Sequence, residues 1–558
     1  MTTLNWRPRN LIRRDPADQA VAPGGRRWVG LLAEAGVAMA AAALLLLYSK
    51  TIHVNPMKRP GQVSGLAAML LPFMVIAIAI VVAVLLIQRF CRPVTYTWAV
   101  RLACAATAGL FTGLIAGGVA VALHGTPWPI NGVISDSSVI QKYAHSVATG
   151  HGIPDDSGYP PLYIWLLAAW AKLFYDGNTG YALQTLSLVT VAVIGPLAYL
   201  MWRTLLSPVW ALIIGVVPTL PLIDPYKPYG NLSLFIFIPA LALLLSALRR
   251  SPVTEPRRLI KVGAGLGLLI GADFLLYSGW FVWSAAGMVV LTLAYFPWKS
   301  GPKRALILLG STAVVFLAVA GWTLAKLLLM STDNVDRYMY VDTDTDPGYF
   351  SIWLWVQNGK PDQWPPLGEL GGVGLFAILL AIGLGTALIL GARRSVVVVA
   401  ATCMASAWVM RLWYASHMYR DHAVQLWPRT SWQIMYCLLV LCGFAIYLGV
   451  QRLKRIQLRI QLPRLTTAGS PAAGATAGGG GLRARLPLHA GVLACLLLLF
   501  GMSGSAIANK YMPGRELFPA YRVMLAHTTP KLDGKCPAYT NPKACVPRKH
   551  PWLDHLKK

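Results

Sequence analysis

Charged residues are scarce in this sequence, which limits the classes of protein it can form. Only 13% of its 558 residues are Asp, Glu, Lys or Arg, whereas an ordinary soluble domain contains about 25%. Hydrophobic residues make up 56% of the chain, and the mean hydropathy is +0.55. This composition excludes a string of soluble domains, although the length alone would suggest about three or four.

Acidic residues are the scarcer charged kind, with 21 Asp and Glu against 49 Lys and Arg and a net charge of +28. In a soluble protein such an excess would indicate binding to nucleic acid. In a membrane protein it follows from topology, because cytoplasmic loops are enriched in Lys and Arg. We therefore predict membrane lipids, and no nucleic acid, as partners.

Long apolar stretches are abundant. A stretch of about 17–25 apolar residues with few charges is typical of a transmembrane helix. We predict an all-α polytopic membrane protein with thirteen spans, at residues 29–48, 65–88, 99–123, 181–201, 209–223, 232–248, 261–278, 280–297, 305–330, 371–391, 396–413, 432–450 and 488–507. The first span exceeds the apolar core of a cleaved signal peptide, so we expect an uncleaved anchor.

The apolar segment 161–175 is short for a span, and the basic loops after it decide where it lies. If it crossed, the basic stretches 249–258, 393–394 and 451–460 would lie outside, against the positive-inside rule. We therefore predict an interfacial helix at the outer surface, paired with the helix before it. The N-terminus is then cytoplasmic and the C-terminus extracytoplasmic, in a plasma-membrane protein.

This topology divides the chain into five regions. They are a basic leader (1–28), a transmembrane catalytic domain (29–462), a flexible linker (463–487), the last span (488–507) and an extracytoplasmic tail (508–558). The outer loops of the catalytic domain are 124–180, 331–370 and 411–431. Acidic residues gather in these loops, so we expect the chemistry on the extracytoplasmic side.

Charges within the predicted spans are few, and we find Glu34, Asp273 and Lys326 near span ends. A carrier usually places polar residues near mid-membrane, which disfavours the nonenzymatic alternative, a transporter. Two cysteines, Cys536 and Cys545, lie in the tail. An extracytoplasmic compartment permits disulfides, so we predict a bridge between them, with two free thiols as the alternative.

The first outer loop contains the most informative residues. Asp136 follows the third span closely and precedes a membrane-surface helix with apolar residues at helical spacing. From spacing alone it is best interpreted as a helix cap. Asp155 and Asp156 either assist it, bind a metal or shape the turn before Tyr159.

Several stretches, taken together, resemble the GT-C glycosyltransferases, and among them the actinobacterial galactan arabinofuranosyltransferases. They are SDSSVIQKYAHS (135–146), YPPLYIWLL (159–167), DFLLYSGWFVW (273–283), VQLWPRTS (424–431) and, in the tail, ANKYMPG and HTTPKLDGKCPAY. The resemblance implies an enzyme that transfers a sugar from a polyprenyl-phosphate donor, decaprenylphosphoryl-arabinofuranose in the first instance, to a cell-wall polysaccharide acceptor. A mannosyl- or aminoarabinosyl-transferase of the same fold is the alternative.

The resemblance also implies that Asp136 is the general base of an inverting transfer. The leaving phosphate becomes more negative, so cations must stabilise it. Arg411, Arg420, Arg429 and His417 surround one short outer loop, and Lys227 is a further candidate. The alternative for the arginines is contact with lipid head groups.

Asp224 and Asp273 each lie near the outer end of a span with a tyrosine close by. They either line the sugar pocket or face the interface. Asp342, Asp344 and Asp346 alternate as in the start of a calcium loop, but the turn glycine and final glutamate of an EF-hand are absent. This interpretation assigns no definite cofactor, and a divalent cation in this loop stays an open alternative to a solvated acidic segment.

Overall fold

The described part of the chain is built of helices and contains no β-strand. The computed structural model describes residues 26–154, 159–329, 375–422, 429–466 and 488–545. The helices are α1 (Arg26–Tyr48), α2 (Arg59–Phe90), α3 (Pro93–Ala122), α4 (Ser135–Ala148), α5 (Pro161–Phe174), α6 (Thr179–Arg203), α7 (Pro208–Ala211), α8 (Pro228–Arg250), α9 (Pro256–Leu276), α10 (Gly279–Tyr295), α11 (Pro302–Leu329), α12 (Leu375–Gly391), α13 (Ser395–Asp421), α14 (Thr430–Thr466), α15 (Leu488–Lys510) and α16 (Phe518–His527).

Among the described residues, ten helices are long and apolar enough to cross a membrane, which confirms the multi-pass character. Each of them corresponds to a predicted span. The other three predicted spans, 209–223, 280–297 and 371–391, fall on shorter apolar helices. The predicted surface segment 161–175 also forms a short helix, Pro161–Phe174.

The two ends of the helix bundle are distinguished by two carboxylates. Glu34 in α1 is bound to Arg101, near the start of α3, and to Arg203, at the end of α6. Asp136 follows the other end of α3. Because α3 rises about 32 Å between Arg101 and Ala122, we name these two places the Glu34 end and the Asp136 end.

Glu34 is fully buried, and its partners join three helices. Its carboxylate accepts hydrogen bonds from Arg101 Nε at 2.6 Å, from Arg203 Nε at 2.7 Å and from the Tyr199 hydroxyl at 2.9 Å. A buried charge in a membrane bundle is stable only when it is paired in this way. The network therefore fastens α1, α3 and α6 to each other at the Glu34 end.

Small residues allow α1 and α3 to approach closely. A Cβ placed on Gly109 would lie 2.0 Å from the Ala38 carbonyl oxygen, and one on Gly113 would lie 2.8 Å from that of Ala42. The two pairs repeat at a spacing of four residues, as is typical of helix contacts within membranes. Glycine is therefore required at these positions for packing.

The stretch around α7 connects the two ends although its helix is short. Pro208–Thr219 contains 12 residues, or about 18 Å of helix, against a hydrocarbon core of about 30 Å. It includes a π-helical turn, Leu212–Val216. Yet Arg203 contacts Glu34 and Lys227 contacts Asp136, so residues 204–227 run from one end of the bundle to the other.

Helix α5, by contrast, remains at the Asp136 end. The Tyr159 hydroxyl, just before α5, donates to Asp136. The Tyr175 hydroxyl, just after α5, donates to Thr185 Oγ1 at 2.9 Å, within the second turn of α6. Because both ends of α5 lie at the same end of the bundle, this helix does not cross it.

The C-terminal tail packs onto the loop between α3 and α4. Hydrogen bonds join Thr126 to Ala526, Asn131 to Arg522, Gly125 to Ala538 and Trp128 to Pro530. His527 also bonds the Ala122 carbonyl, and burial lowers the pKa of His527 to about 4. Cys536 and Cys545 are joined by a disulfide. The tail is therefore a structural part of the Asp136 end.

Candidate functional site

Asp136 lies in the first turn of α4, where its negative charge is favourable beside the positive end of the helix dipole. The cap residue is Ile134, and no side chain caps this helix. The capping interpretation of Asp136 is therefore wrong, and its carboxylate is directed to other partners. Ser135 takes a φ of 54°, a conformation that a non-glycine residue adopts only where its surroundings impose it.

Two side chains hold the Asp136 carboxylate. The Tyr159 hydroxyl donates to Oδ1, and the Lys227 ammonium group forms an ion pair with Oδ2. The carboxylate is partly open to solvent, since the Asp136 side chain is 19% exposed and that of Lys227 is 32% exposed. A ligand can therefore reach both charges.

The surrounding charges keep Asp136 ionised. Burial by itself would raise the pKa of Asp136, but the charge and hydrogen bond of Lys227, the hydrogen bond of Tyr159 and the charge of Arg429 together bring it below the ordinary value. Burial and the neighbouring carboxylate raise the pKa of Tyr159. At neutral pH the site thus contains a carboxylate anion and a protonated phenol.

A narrow cleft of about 10 Å³ lies beside Asp136, and we call it the Asp136 cleft. Its polar lining consists of Asp136, Ser137, Gln184, Ser187 and the tyrosines Tyr163, Tyr226 and Tyr229. The rest of the lining is apolar and comes from α3, the loop between α3 and α4, α4, α6 and the loop before α8. An apolar lining with a few convergent polar groups is the composition of a small-molecule site, but a cleft of this volume must widen to admit anything larger than a water molecule.

Asp224 supports the wall of the Asp136 cleft and does not face into it. Its Oδ1 accepts hydrogen bonds from the Tyr226 backbone at 2.9 Å and from the Tyr511 hydroxyl at 2.8 Å. The Arg522 guanidinium lies 4.2 Å from the centre of the Tyr226 ring. Two tail residues thus position a tyrosine that lines the cleft.

Asp273 is 4% exposed, and neither of its carboxylate oxygens has a hydrogen-bond partner among the described residues. It lies in the last turn of α9 and is not part of the lining of the Asp136 cleft. Segment 273–283, which contains Asp273, does reach the site, because its Tyr277 packs against Tyr229 with ring centres 6.5 Å apart.

The predicted phosphate-binding residues separate into two groups. Lys227 contacts Asp136, and Arg429 is close enough for its charge to lower the Asp136 pKa. Arg411 is 5% exposed and donates to Ser431 Oγ at 2.9 Å, between α13 and α14. Arg420 pairs with Asp421, and His417 bonds the Trp413 carbonyl. The structure does not bring Arg411, Arg420 or His417 to the Asp136 cleft.

Some predicted residues lie outside the described part of the chain. They are Asp155, Asp156 and the acidic loop of Asp342, Asp344 and Asp346. Among the residues that are described, no group of three or more His, Cys, Asp or Glu side chains could hold a metal ion.

Several residues at the Asp136 end are not predicted by the sequence. They are Gln184, Tyr226, Tyr229 and Arg522. The aromatic residues on both sides of Lys227 are a local signal for Tyr226 and Tyr229. Tyr511 belongs to the tail stretch ANKYMPG of the family resemblance, but no local signal indicates its contact with Asp224, which lies 287 positions away.

The fold and the site define a multi-pass helical membrane protein with an ionised carboxylate, two nearby cations and a narrow cleft at one end of the bundle. Neither a protein-family model nor a curated protein sequence matches the chain. Its function therefore has to be argued from its own residues.

Proposed function

We propose that the protein is a membrane glycosyltransferase of the GT-C type, which transfers a sugar from a polyprenyl-phosphate donor to an extracytoplasmic cell-wall glycan. Arabinofuranose is the first choice of sugar and galactan the first choice of acceptor. The observation that carries the proposal is the ionised Asp136 in the lining of a narrow cleft, in contact with Lys227 and near Arg429.

Stretches that resemble the GT-C glycosyltransferases lie close together in the structure, and this supports the same proposal. Segments 135–146 and 159–167 meet at the Asp136–Tyr159 hydrogen bond. Segment 273–283 contributes Trp280, which bonds the Gly230 carbonyl at 3.0 Å, and the tail contributes Tyr511. Residues that are far apart in the chain thus contact the lining residues of the Asp136 cleft or their chain neighbours.

The basic residues at the other end support the proposed orientation. Arg249 bonds the Arg393 carbonyl at 2.6 Å, and Arg394 bonds Gln451 at 3.3 Å. Three basic stretches therefore meet at the Glu34 end, which the positive-inside rule assigns to the cytoplasm. The Asp136 cleft then faces outward in the plasma membrane, where a cell-wall acceptor is available.

In the proposed reaction, an acceptor hydroxyl attacks the anomeric carbon from the face opposite the phosphate. Asp136 takes the hydroxyl proton, a new glycosidic bond forms, and the bond between the anomeric carbon and the phosphate oxygen breaks. The leaving polyprenyl phosphate gains negative charge, which Lys227 and Arg429 stabilise. Because Lys227 is paired with Asp136 in the structure, the donor phosphate must draw its ammonium group away before the carboxylate can act as a base.

The first test replaces Asp136 with Asn and measures sugar transfer from purified protein with a panel of polyprenyl-phosphate donors. A general base contributes roughly 10²–10⁴-fold, so we expect a loss of that size in kcat while the protein remains folded. Asp176→Asn is the matched control, because Asp176 is an exposed carboxylate in the same outer loop. Normal transfer by a folded Asp136→Asn variant would overturn the base assignment.

The donor panel also tests the sugar. If only a mannose or an aminoarabinose donor supports transfer, that sugar takes the place of arabinofuranose in the proposal. If wild-type protein moved lipid-linked sugar across vesicles but formed no glycosidic bond with any donor, the transferase proposal would fail.

A further inference from the structure

A second cleft lies at the Glu34 end, between α12, the start of α13 and α14. Its volume is about 260 Å³. Its apolar wall consists of Ile389, Leu390 and Leu448, and three arginines form its polar rim, Arg394, Arg452 and Arg455. We call this site the arginine cleft.

The arginines converge on the cleft from two different elements. On α14, Leu448, Arg452 and Arg455 are spaced by three or four residues, so they lie on one face of the helix. Arg394 comes from the turn before α13, and its guanidinium bonds Gln451 of α14 at 3.3 Å. The positive-inside rule explains why arginines lie at this end, but not why three of them line one cleft.

Two of the arginines, Arg452 and Arg455, have no acidic partner in the part of the chain that the structure describes. Glu34 is taken by Arg101 and Arg203. Like charges around one recess repel each other. An anion bound between them would relieve this repulsion, and guanidinium groups match the oxygens of a phosphate in a bidentate geometry.

The apolar wall indicates how that phosphate is carried. Ile389 is exposed on the surface of α12, while Leu448 is buried at the base of the cleft. The lining thus combines apolar side chains with cationic ones, the two kinds of group that the acyl chain and the phosphate head group of a lipid contact.

We propose that the arginine cleft binds the phosphate of an anionic membrane lipid, with the head group between Arg394, Arg452 and Arg455 and an acyl chain along Ile389. Such a site is separate from the Asp136 cleft, at the opposite end of the bundle. It does not depend on the transferase reaction.

The test uses full-length protein in nanodiscs, where both ends are accessible, and native mass spectrometry with phosphatidylglycerol, phosphatidylcholine or inorganic phosphate as the probe. We expect retention of phosphatidylglycerol over phosphatidylcholine. Each basic residue near a membrane surface contributes about 1 kcal/mol to anionic-lipid binding. The double variant Arg452→Gln, Arg455→Gln should therefore weaken phosphatidylglycerol binding roughly 30-fold.

The matched control is Arg257→Gln, Arg258→Gln, which removes two exposed arginines from the same end of the bundle, at the start of α9. It should leave binding unchanged. The double variant Arg452→Lys, Arg455→Lys keeps both charges. We expect it to retain most of the phosphatidylglycerol binding, even if the Gln variant folds poorly. Equal losses in cleft and control variants, or equal retention of the two lipids, would overturn the proposal. Inorganic phosphate competing at the same concentration as the lipid would overturn the assignment to a lipid.

Discussion

At the scale of single residues, the contact between Lys227 and Asp136 has two opposing effects. It keeps the carboxylate ionised, and it also occupies Oδ2, one of the two carboxylate oxygens that could accept a proton. A carboxylate stabilised by a nearby cation is a weaker base than a free one. Its reactivity should therefore depend on whether Lys227 is engaged with Asp136 or with a phosphate.

A pH profile of Lys227→Gln tests this dependence. Lys227 lowers the pKa of Asp136, and the reaction needs the ionised form. The acidic limb of kcat/KM should therefore move to higher pH in the variant, and its maximum should fall roughly 10²-fold because a phosphate-stabilising charge is lost. Lys142→Gln is the control, since Lys142 is an exposed lysine on the same helix as Asp136. An unshifted limb in Lys227→Gln would show that the ion pair does not set the basicity of Asp136.

The same ion pair predicts a pH-dependent stability. Because the folded-state pKa of Asp136 is below its ordinary value, its contribution is present above the unfolded pKa and is lost as the pH falls through the folded one. The thermal midpoint of wild type should therefore decrease with acidification more than that of Asp136→Asn. Parallel curves for the two proteins would contradict this expectation.

At the scale of elements, the contact between α1 and α3 is a test of small-residue packing. Gly109→Ala places a Cβ 2.0 Å from the Ala38 carbonyl oxygen, so the two helices must separate. Overpacking of this kind costs about 1–3 kcal/mol, and we expect a lower thermal midpoint.

Gly265→Ala is the matched control for that variant, because a Cβ on Gly265 of α9 would meet nothing within 4 Å. Since alanine favours a helix by up to about 1 kcal/mol over glycine, this control should be neutral or stabilising. Equal midpoints for the two alanine variants would show that α1 and α3 are not held at the distance the structure gives.

At the scale of the whole molecule, hydropathy identified the long helices because the bilayer core requires about 20 apolar residues for each crossing. It could not show that residues 208–219 form a broken helix, since the composition of that stretch is as apolar as its neighbours. Arg411, Arg420 and Arg429 are close together in the sequence. Of these three, only Arg429 has a charge that lowers the pKa of Asp136. Helix packing determines which side chains come into contact. A single sequence does not show which residues far apart in the chain form such pairs.

The tail shows how distant parts of the chain act together. It bonds the loop before α4, and through Tyr511 and Arg522 it positions Tyr226 in the Asp136 cleft. The disulfide between Cys536 and Cys545 closes a short loop within it. Without that bridge the tail should order less well, because it has little core of its own, and the wall of the Asp136 cleft should loosen with it.

We therefore expect Cys536→Ser, Cys545→Ser to raise KM for the acceptor and speed amide exchange in residues 123–134, with the midpoint of the helix bundle nearly unchanged. Cys91→Ser, Cys495→Ser removes two exposed free thiols and is the control. Faster exchange confined to the tail, with kinetics unaltered, would show that the tail covers the Asp136 end without shaping the cleft. Loss of the whole bundle's stability would instead make the tail part of the folding core.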